Sequence, residues 1–232
     1  MARSKVARLV RTIACMNVVL FDIDGTLLFS GYAGKAAMQE ALRTRFGHEE
    51  PLTVTMNGRT DRAIVRDILQ THDIEDSDEN WTTFQQGYLE HLPGCLAARK
   101  GLELPGVRPL LQRLADEERV SVGLLTGNMR RGAELKLRHF SLFEHFGFGG
   151  FGDRHLDRNQ VAVEAIEAVR EHHADEIPTE SVWVVGDTPL DVECARFVGA
   201  RAVAVATGHC SKEELAASEP DLLLEALTDP QL

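Results

Sequence analysis

Val18-Val19-Leu20-Phe21-Asp22-Ile23-Asp24-Gly25-Thr26 is the stretch whose reading decides the fold. Four apolar residues in succession, closed by an acid, describe a strand buried on both faces, because a strand with one wet face would alternate. Runs of the same kind recur at 120–125, 182–185 and 202–206, rich in Val and Leu or Ala and followed by Asp, Thr or Gly. Weaker strand candidates lie at 148–151 and, after Pro220, at 221–224. Helical patterns fill the gaps at 107–118, 129–139, 159–173 and 189–198. In the third, Val161, Ala165, Ile166 and Val169 recur at the spacing of one helix face. Repeated strand–helix units predict an α/β fold: a doubly wound parallel sheet with a Rossmann-like core.

The alternation breaks between residues 30 and 104, which hold no strong strand but several amphipathic segments. Ala33, Ala37 and Ala41 make one stripe, and Ala63, Ile64, Ile68 and Leu69 a second. Trp81, Phe84, Tyr88 and Leu92 make a third, read as helix core rather than a stacking surface. The expected organisation is an α/β core over 17–29 and 105–232, an inserted all-helical cap domain over 30–104, and an N-terminal extension over 1–16. Gly31, Gly34 and Pro105-Gly106 stand where hinges would be needed.

With 25 Lys and Arg against 36 Asp and Glu, the 232-residue chain carries a formal charge of −11, which repels phosphate backbones and argues against nucleic acid. The basic residues Arg3, Lys5, Arg8 and Arg11 break every apolar run that a secretory signal would need, and no window approaches a membrane span. Cys15, Cys95, Cys194 and Cys210 form no CxxC pair and read as small buried hydrophobes. A cytoplasmic monomer or homodimer, without membrane or nucleic-acid partners, is the expectation.

Ligands of open α/β sheets gather at the carboxyl ends of the strands. Asp22 and Asp24 stand at the first end, one residue apart, with Gly25 permitting a tight turn. Thr126-Gly127-Asn128 at the second offers a hydroxyl and helix-start N–H groups, a cradle of phosphate size. Asp187 and Asp191 stand at the third, four apart at a helix start. Four acids so close are costly without a cation, and oxygen ligands with room for water suit Mg²⁺.

In this order, FDIDGTL, LLTGN and VVGDTPLD resemble three motifs of the haloacid dehalogenase-like phosphohydrolases, and the likeness runs from about residue 17 onward. The layout is similar to the phosphoglycolate phosphatase type, whose cap loop Asn57-Gly58-Arg59-Thr60-Asp61 resembles. The resemblance implies a Mg²⁺-dependent phosphatase acting on a small phosphorylated metabolite, phosphoglycolate being a candidate, through an aspartyl-phosphate on Asp22. Asp24 would protonate the leaving alcohol and then deprotonate water, which requires a neutral form near neutral pH. Asp22, the backbone carbonyl of Asp24 and Asp187 would hold the metal, with Asp191 behind them. Thr126, Gly127 and Asn128 would bind the phosphoryl group.

The chain departs from the family where a Lys usually precedes the fourth strand, since residues 151–181 contain none. Arg158 is the preferred substitute over Arg154, and Arg170 lies too far along its helix. Arg59 is either a substrate ligand or an ion-pair residue. A phosphomutase of the β-phosphoglucomutase type is the alternative within the family, and a phosphonate hydrolase using Lys35 a minor one. Asp24 argues against a dehalogenase, whose halide leaving group needs no acid. From another class, a non-catalytic phosphoacceptor or binding protein on the same fold remains, although response-regulator domains are about half this length and lack the insertion. Gly147–Gly152 matches GxGxxG literally but follows a helical pattern, so dinucleotide binding is not expected there. His172 and His173 are read as solvated at a helix end.

Overall fold

The computed structural model describes residues 16–173 and 177–229. The expectation for segment 1–16 lies outside these, Met16 apart, as does that for Cys15. Six strands, β1 (Asn17–Phe21), β4 (Val120–Leu125), β5 (Gly149–Gly150), β6 (Val182–Gly186), β7 (Arg201–Val205) and β8 (Leu222–Leu224), form one sheet in the order β5-β4-β1-β6-β7-β8. Every pairing in it is parallel. From β1 the chain first adds strands on one side and then, from β6, on the other. The crevice of this doubly wound sheet therefore opens at the ends of β1 and β6.

Alternate residues of each strand enter separate cores. Val19, Phe21, Trp183, Val185 and Val203 pack with α4 (Val107–Ala115) and α5 (Arg130–His139), through Leu110, Leu111, Leu114, Ala133 and Leu137. Val18, Leu20, Val182, Val184 and Ala202 face α6 (Arg158–His172) and α7 (Pro189–Phe197), through Val161, Ala165, Val169, Val192 and Ala195. A period of two with both faces apolar requires helices on both sides, and that is what stands there. The short helix α8 (Lys212–Ala217) adds Leu215 to the second core.

Between β2 (Leu28–Phe29) and β3 (Leu102–Glu103) come three helices, α1 (Ala33–Phe46), α2 (Asp61–Thr71) and α3 (Asp78–Ala98). They share a third core built from the three expected stripes: Ala37 and Ala41, Ile64 and Ile68, Phe84 and Leu92. Trp81 is only half-buried and lies under the Arg62 guanidinium. The antiparallel pairing of β2 with β3 brings exit and return together. Each strand is two residues long, too short to leave a periodic signal in the sequence.

Two local expectations are corrected. Gly34 is not a hinge, because it lies inside α1, facing Lys136 and Tyr88 at ordinary contact distance. Cys95 and Cys210 are half-buried, and only Cys194 among the described cysteines sits fully in a core. The literal GxGxxG also finds its physical reason. A Cβ at Gly149 would press on the Leu124 carbonyl, and one at Gly150 on the Val161 carbonyl, so these glycines let α6 and β4 close on β5. Among the described residues no helix is long and apolar enough to cross a membrane.

Gly150→Ala should therefore lower stability by roughly 1–3 kcal/mol through overpacking against backbone that has nowhere to go. Gly94→Ala on α3, where an added Cβ meets nothing within 4 Å, should instead raise it by about 0.5–1 kcal/mol. Urea unfolding midpoints of the two variants check both signs.

Candidate active site

Strand register assembles the site. Phe21 is level with Leu124 on one side and Val185 on the other. The first residue past β1, Asp22, thus stands beside the turn that carries Thr126 and the turn that carries Asp187. The Asp22 N–H donates to the Val185 carbonyl at 2.9 Å. Gly25 has φ +86°, and a Cβ there would overlap the Asp187 carboxylate, so only glycine lets this turn lie against the third strand end.

Arg158, the first residue of α6, is buried at the centre. Its guanidinium lies 3.2 Å from Asp22 and 2.5 Å from Asp191 and donates to the Gly58 carbonyl at 3.1 Å, while its Nε has no partner among the described residues. Burial opposes that charge, but Asp191 and Asp22 more than restore it, and its pKa goes up. Asp191 is fully engaged: one oxygen takes Arg158, and the other accepts from the Thr188 N–H at 3.0 Å and its hydroxyl at 2.7 Å, capping α7. Arg154 makes no comparable approach to these carboxylates; it stands exposed in the turn before α6.

Carboxylate oxygens of Asp22, Asp187 and Asp191 all lie within 4.8 Å of one another. Burial pushes the Asp22 carboxyl up against the pull of Arg158, and the Asp191 charge adds to the rise. Burial, then Asp191 and Asp22, push Asp187 up further, against a 3.2 Å hydrogen bond from Thr26. One guanidinium does not balance three buried acids. This oxygen-rich pocket fits a divalent cation, which would remove the like-charge cost.

Asp24 faces away from that cluster. Its carboxylate takes the Lys136 ammonium at 2.5 Å, Asn128 Nδ2 at 2.9 Å and the Ser30 hydroxyl at 3.3 Å. Burial pushes its pKa up, but the charge and hydrogen bond of Lys136, with Asn128 and Ser30, outweigh it, and the net direction is down. The expected neutral form at neutral pH is thus corrected for this arrangement: a buried ammonium holds Asp24 ionised. Thr126 hydrogen-bonds Asp22 and accepts from Asn128 Nδ2 at 2.9 Å, so the second motif bridges the two carboxylates. Gly127 has no room for a side chain, since a Cβ would collide with the Arg59 carbonyl and stand 3.0 Å from Arg158.

Sequence reasoning did not single out Lys136. It lies three residues after Ala133 and one before Leu137, inside the apolar stripe of α5, and a lysine on a buried stripe was the available signal. Asp61, quoted only within the cap loop, is equally involved. Its carboxylate accepts the Met129 N–H at 2.7 Å while its own N–H donates to Gly127 at 2.7 Å, stitching α2 to the start of α5. Arg59 lines the cavity, but its guanidinium is paired with Asp67 at 2.7 Å. Asp22, Asp24, Asp61, Asn128, Lys136, Arg158 and Asp187 border one cavity of about 670 Å³ between the sheet edge and α1–α3.

The model of the haloacid dehalogenase-like hydrolase family matches residues 19–196. A phosphoglycolate phosphatase of Synechococcus elongatus is 30% identical over 215 residues, 92% of this chain and 95% of that protein. Among solved structures, CbbY of Rhodobacter sphaeroides in complex with phosphate has a TM-score of 0.74 at 17% identity, over 92% of this chain and 96% of that one. A hydrolase of Pseudomonas syringae has a TM-score of 0.65 at 20% identity, over 92% and 95%. At these identities the two structures show a shared fold.

Asp61 supplies a pH test of this geometry. Burial pushes its carboxyl up to about 6, against the pull of Lys136 and the Met129 N–H. The folded state therefore holds this proton more tightly than the unfolded chain does. Its stabilising effect is present at pH 4 and below and is lost as the pH rises through about 6. Asp61→Asn should gain on the wild type by on the order of 3 kcal/mol between pH 4 and pH 7, then level off. Denaturant titrations across that range check it, and a difference that stays flat with pH would contradict it.

Proposed function

Because the chain belongs to the haloacid dehalogenase-like hydrolase family and is a phosphatase, we propose that it hydrolyses a small phosphomonoester through an aspartyl-phosphate on Asp22, with Mg²⁺ as cofactor. The observation that carries this reading is the separation of the two acids of DxD. Asp22 lies in the cluster with Asp187, Asp191 and Arg158, and Asp24 pairs with Lys136 and Asn128. One acid is set for attack and the other for proton transfer.

In the first step an Asp22 oxygen attacks phosphorus, the bond to the leaving oxygen breaks, and that oxygen takes a proton from the minor protonated form of Asp24. Resting Asp24, ionised beside Lys136, reaches that form by taking a proton from solvent before the step. In the second, water attacks the phosphoryl group, gives its proton to Asp24, and the phosphorus–Asp22 bond breaks. Lys136 favours the ionised Asp24 that the first step produces and the second requires. Arg158 offsets the charge on Asp22 and on the phosphoryl oxygens, its partnerless Nε being a donor in reserve. Thr126 and the N–H groups of Gly127 and Asn128 orient the phosphoryl group, and Asp191 holds Arg158 and the start of α7 in place. Asp22, Asp187 and the Asp24 carbonyl would hold the cation, which supplies charge stabilisation to the phosphoryl oxygens. Helices α1–α3 act as a cap that excludes bulk water. Phosphoglycolate, from the name of the Synechococcus relative, is one candidate substrate.

A phosphate-release screen over small esters, with and without Mg²⁺, tests the reading. Asp22→Asn should abolish release, and equal release by that variant would exclude Asp22 as nucleophile. Arg158→Ala should lower kcat/KM by about 100-fold or more, and Arg154→Ala by less than about threefold; the reverse order would sink the assignment. Mg²⁺ should also raise the melting temperature of the wild type but not of Asp187→Asn.

A further inference from the structure

Tyr88 on α3 is 0% exposed, yet its hydroxyl has no hydrogen-bond partner among the described residues. A buried orphan of this kind costs free energy and is rare in a folded protein, so it marks a place where something else binds. The residue borders the cavity. Gly132 opens the space around it, since a Cβ there would stand 3.2 Å from the hydroxyl. Gly34 borders the same space, where a Cβ would meet the hydroxyl at 3.8 Å and the Lys136 ammonium at 3.4 Å, both ordinary contacts. Gly132 and Lys136 lie one turn apart on α5 and so share a face. The hydroxyl and the ammonium thus converge on one gap, beside Asp24. Burial, with the charges of Asp61 and Asp24, pushes the phenol pKa well up, so Tyr88 is a donor in want of an acceptor.

Given the phosphatase reading, we infer that Tyr88, with Lys136, forms a subsite for a neutral, hydroxylated leaving group, such as a polyol or sugar phosphate, rather than for a carboxylate. The subsite adjoins Asp24, the group that meets the leaving oxygen, so the hydroxyl it reads is close to the phosphoester along the chain. Charge decides the class. Lys136 is already matched by Asp24 at 2.5 Å, Arg59 by Asp67 at 2.7 Å, and Arg158 by Asp191 and Asp22. Lys35, which also borders the cavity, is exposed. The buried Asp61 adds a second carboxyl beside Tyr88. A substrate carboxylate would bring a further negative charge to this gap. A hydroxyl accepts from Tyr88 and donates to Asp24 or Asp61, and leaves neither side unpaired. A cavity of about 670 Å³ holds more than a two-carbon acid.

The experiment compares wild type and Tyr88→Phe, with Mg²⁺, on glycerol 3-phosphate, ribose 5-phosphate, 2-phosphoglycolate and p-nitrophenyl phosphate. Wild type should turn over the better hydroxylated ester with higher kcat/KM than 2-phosphoglycolate. In Tyr88→Phe the kcat/KM ratio of that ester to p-nitrophenyl phosphate should fall about 10–100-fold. The melting temperature should hold or rise, because the substitution removes an unsatisfied hydroxyl. Preference of the wild type for 2-phosphoglycolate, or an unchanged ratio in the variant, overturns the inference. If the wild type releases phosphate from none of the esters, the phosphatase reading falls. The subsite is then judged by calorimetric titration of glycerol 3-phosphate, where weaker binding to Tyr88→Phe sustains it and equal binding refutes it.

Discussion

A guanidinium held dry between two carboxylates sets the terms for everything around it. Arg158 touches Asp22 on the end of β1 and Asp191 on the first turn of α7, and reaches Gly58 in the segment before α2. Buried charge of this kind is tolerated only when partners are close and well placed. The helix bearing Arg158 must therefore begin level with the strand ends, a start fixed by Asp157, whose side chain accepts the Asn159 N–H at 2.9 Å. It must also lie against the same sheet face as α7, which the shared core of Val161, Ala165 and Val192 ensures.

Lys136 and Asp24 form a second charged pair on the other side of Thr126. The two pairs divide labour between acids that are neighbours in sequence. Burial, with the Asp191 charge, pushes the proton affinity of Asp22 up, and the Lys136 ammonium pulls that of Asp24 down against its burial. The helical insertion is tied between them by backbone bonds, Asp61 N–H to Gly127 and Arg62 N–H to Gly152, so the segment that covers the cavity is also registered to the turn of Thr126, Gly127 and Asn128.

Much of the frame was legible along the chain, for a reason specific to this fold. A parallel sheet covered on both faces needs continuous apolar strands, and 18–21, 120–125, 182–185 and 202–206 each came out as a strand within about a residue. The ends of those strands carried the acids, the threonine and the glycines, and Arg158, preferred from the family resemblance, lies 3.2 Å from Asp22. The ribbon of β2 and β3 was not legible, because two residues per strand carry no period. Gly34 is no hinge, although a glycine inside the first turn of a helix looks, in sequence, like one that frees the backbone.

By itself, then, the sequence determined the layers, the order of the motifs and the set of oxygen-bearing groups at the sheet edge, since local periodicity and strand-end position suffice for these. Only the tertiary structure decided which charge answers which. Lys136 and Asp24 are 112 residues apart and Tyr88 and Gly132 are on different helices. Their meeting depends on how α3 and α5 cross, not on any spacing within either. Proton affinities follow the same rule: Asp22 and Asp24 are the same residue type two positions apart, and burial and partners alone send them in opposite directions.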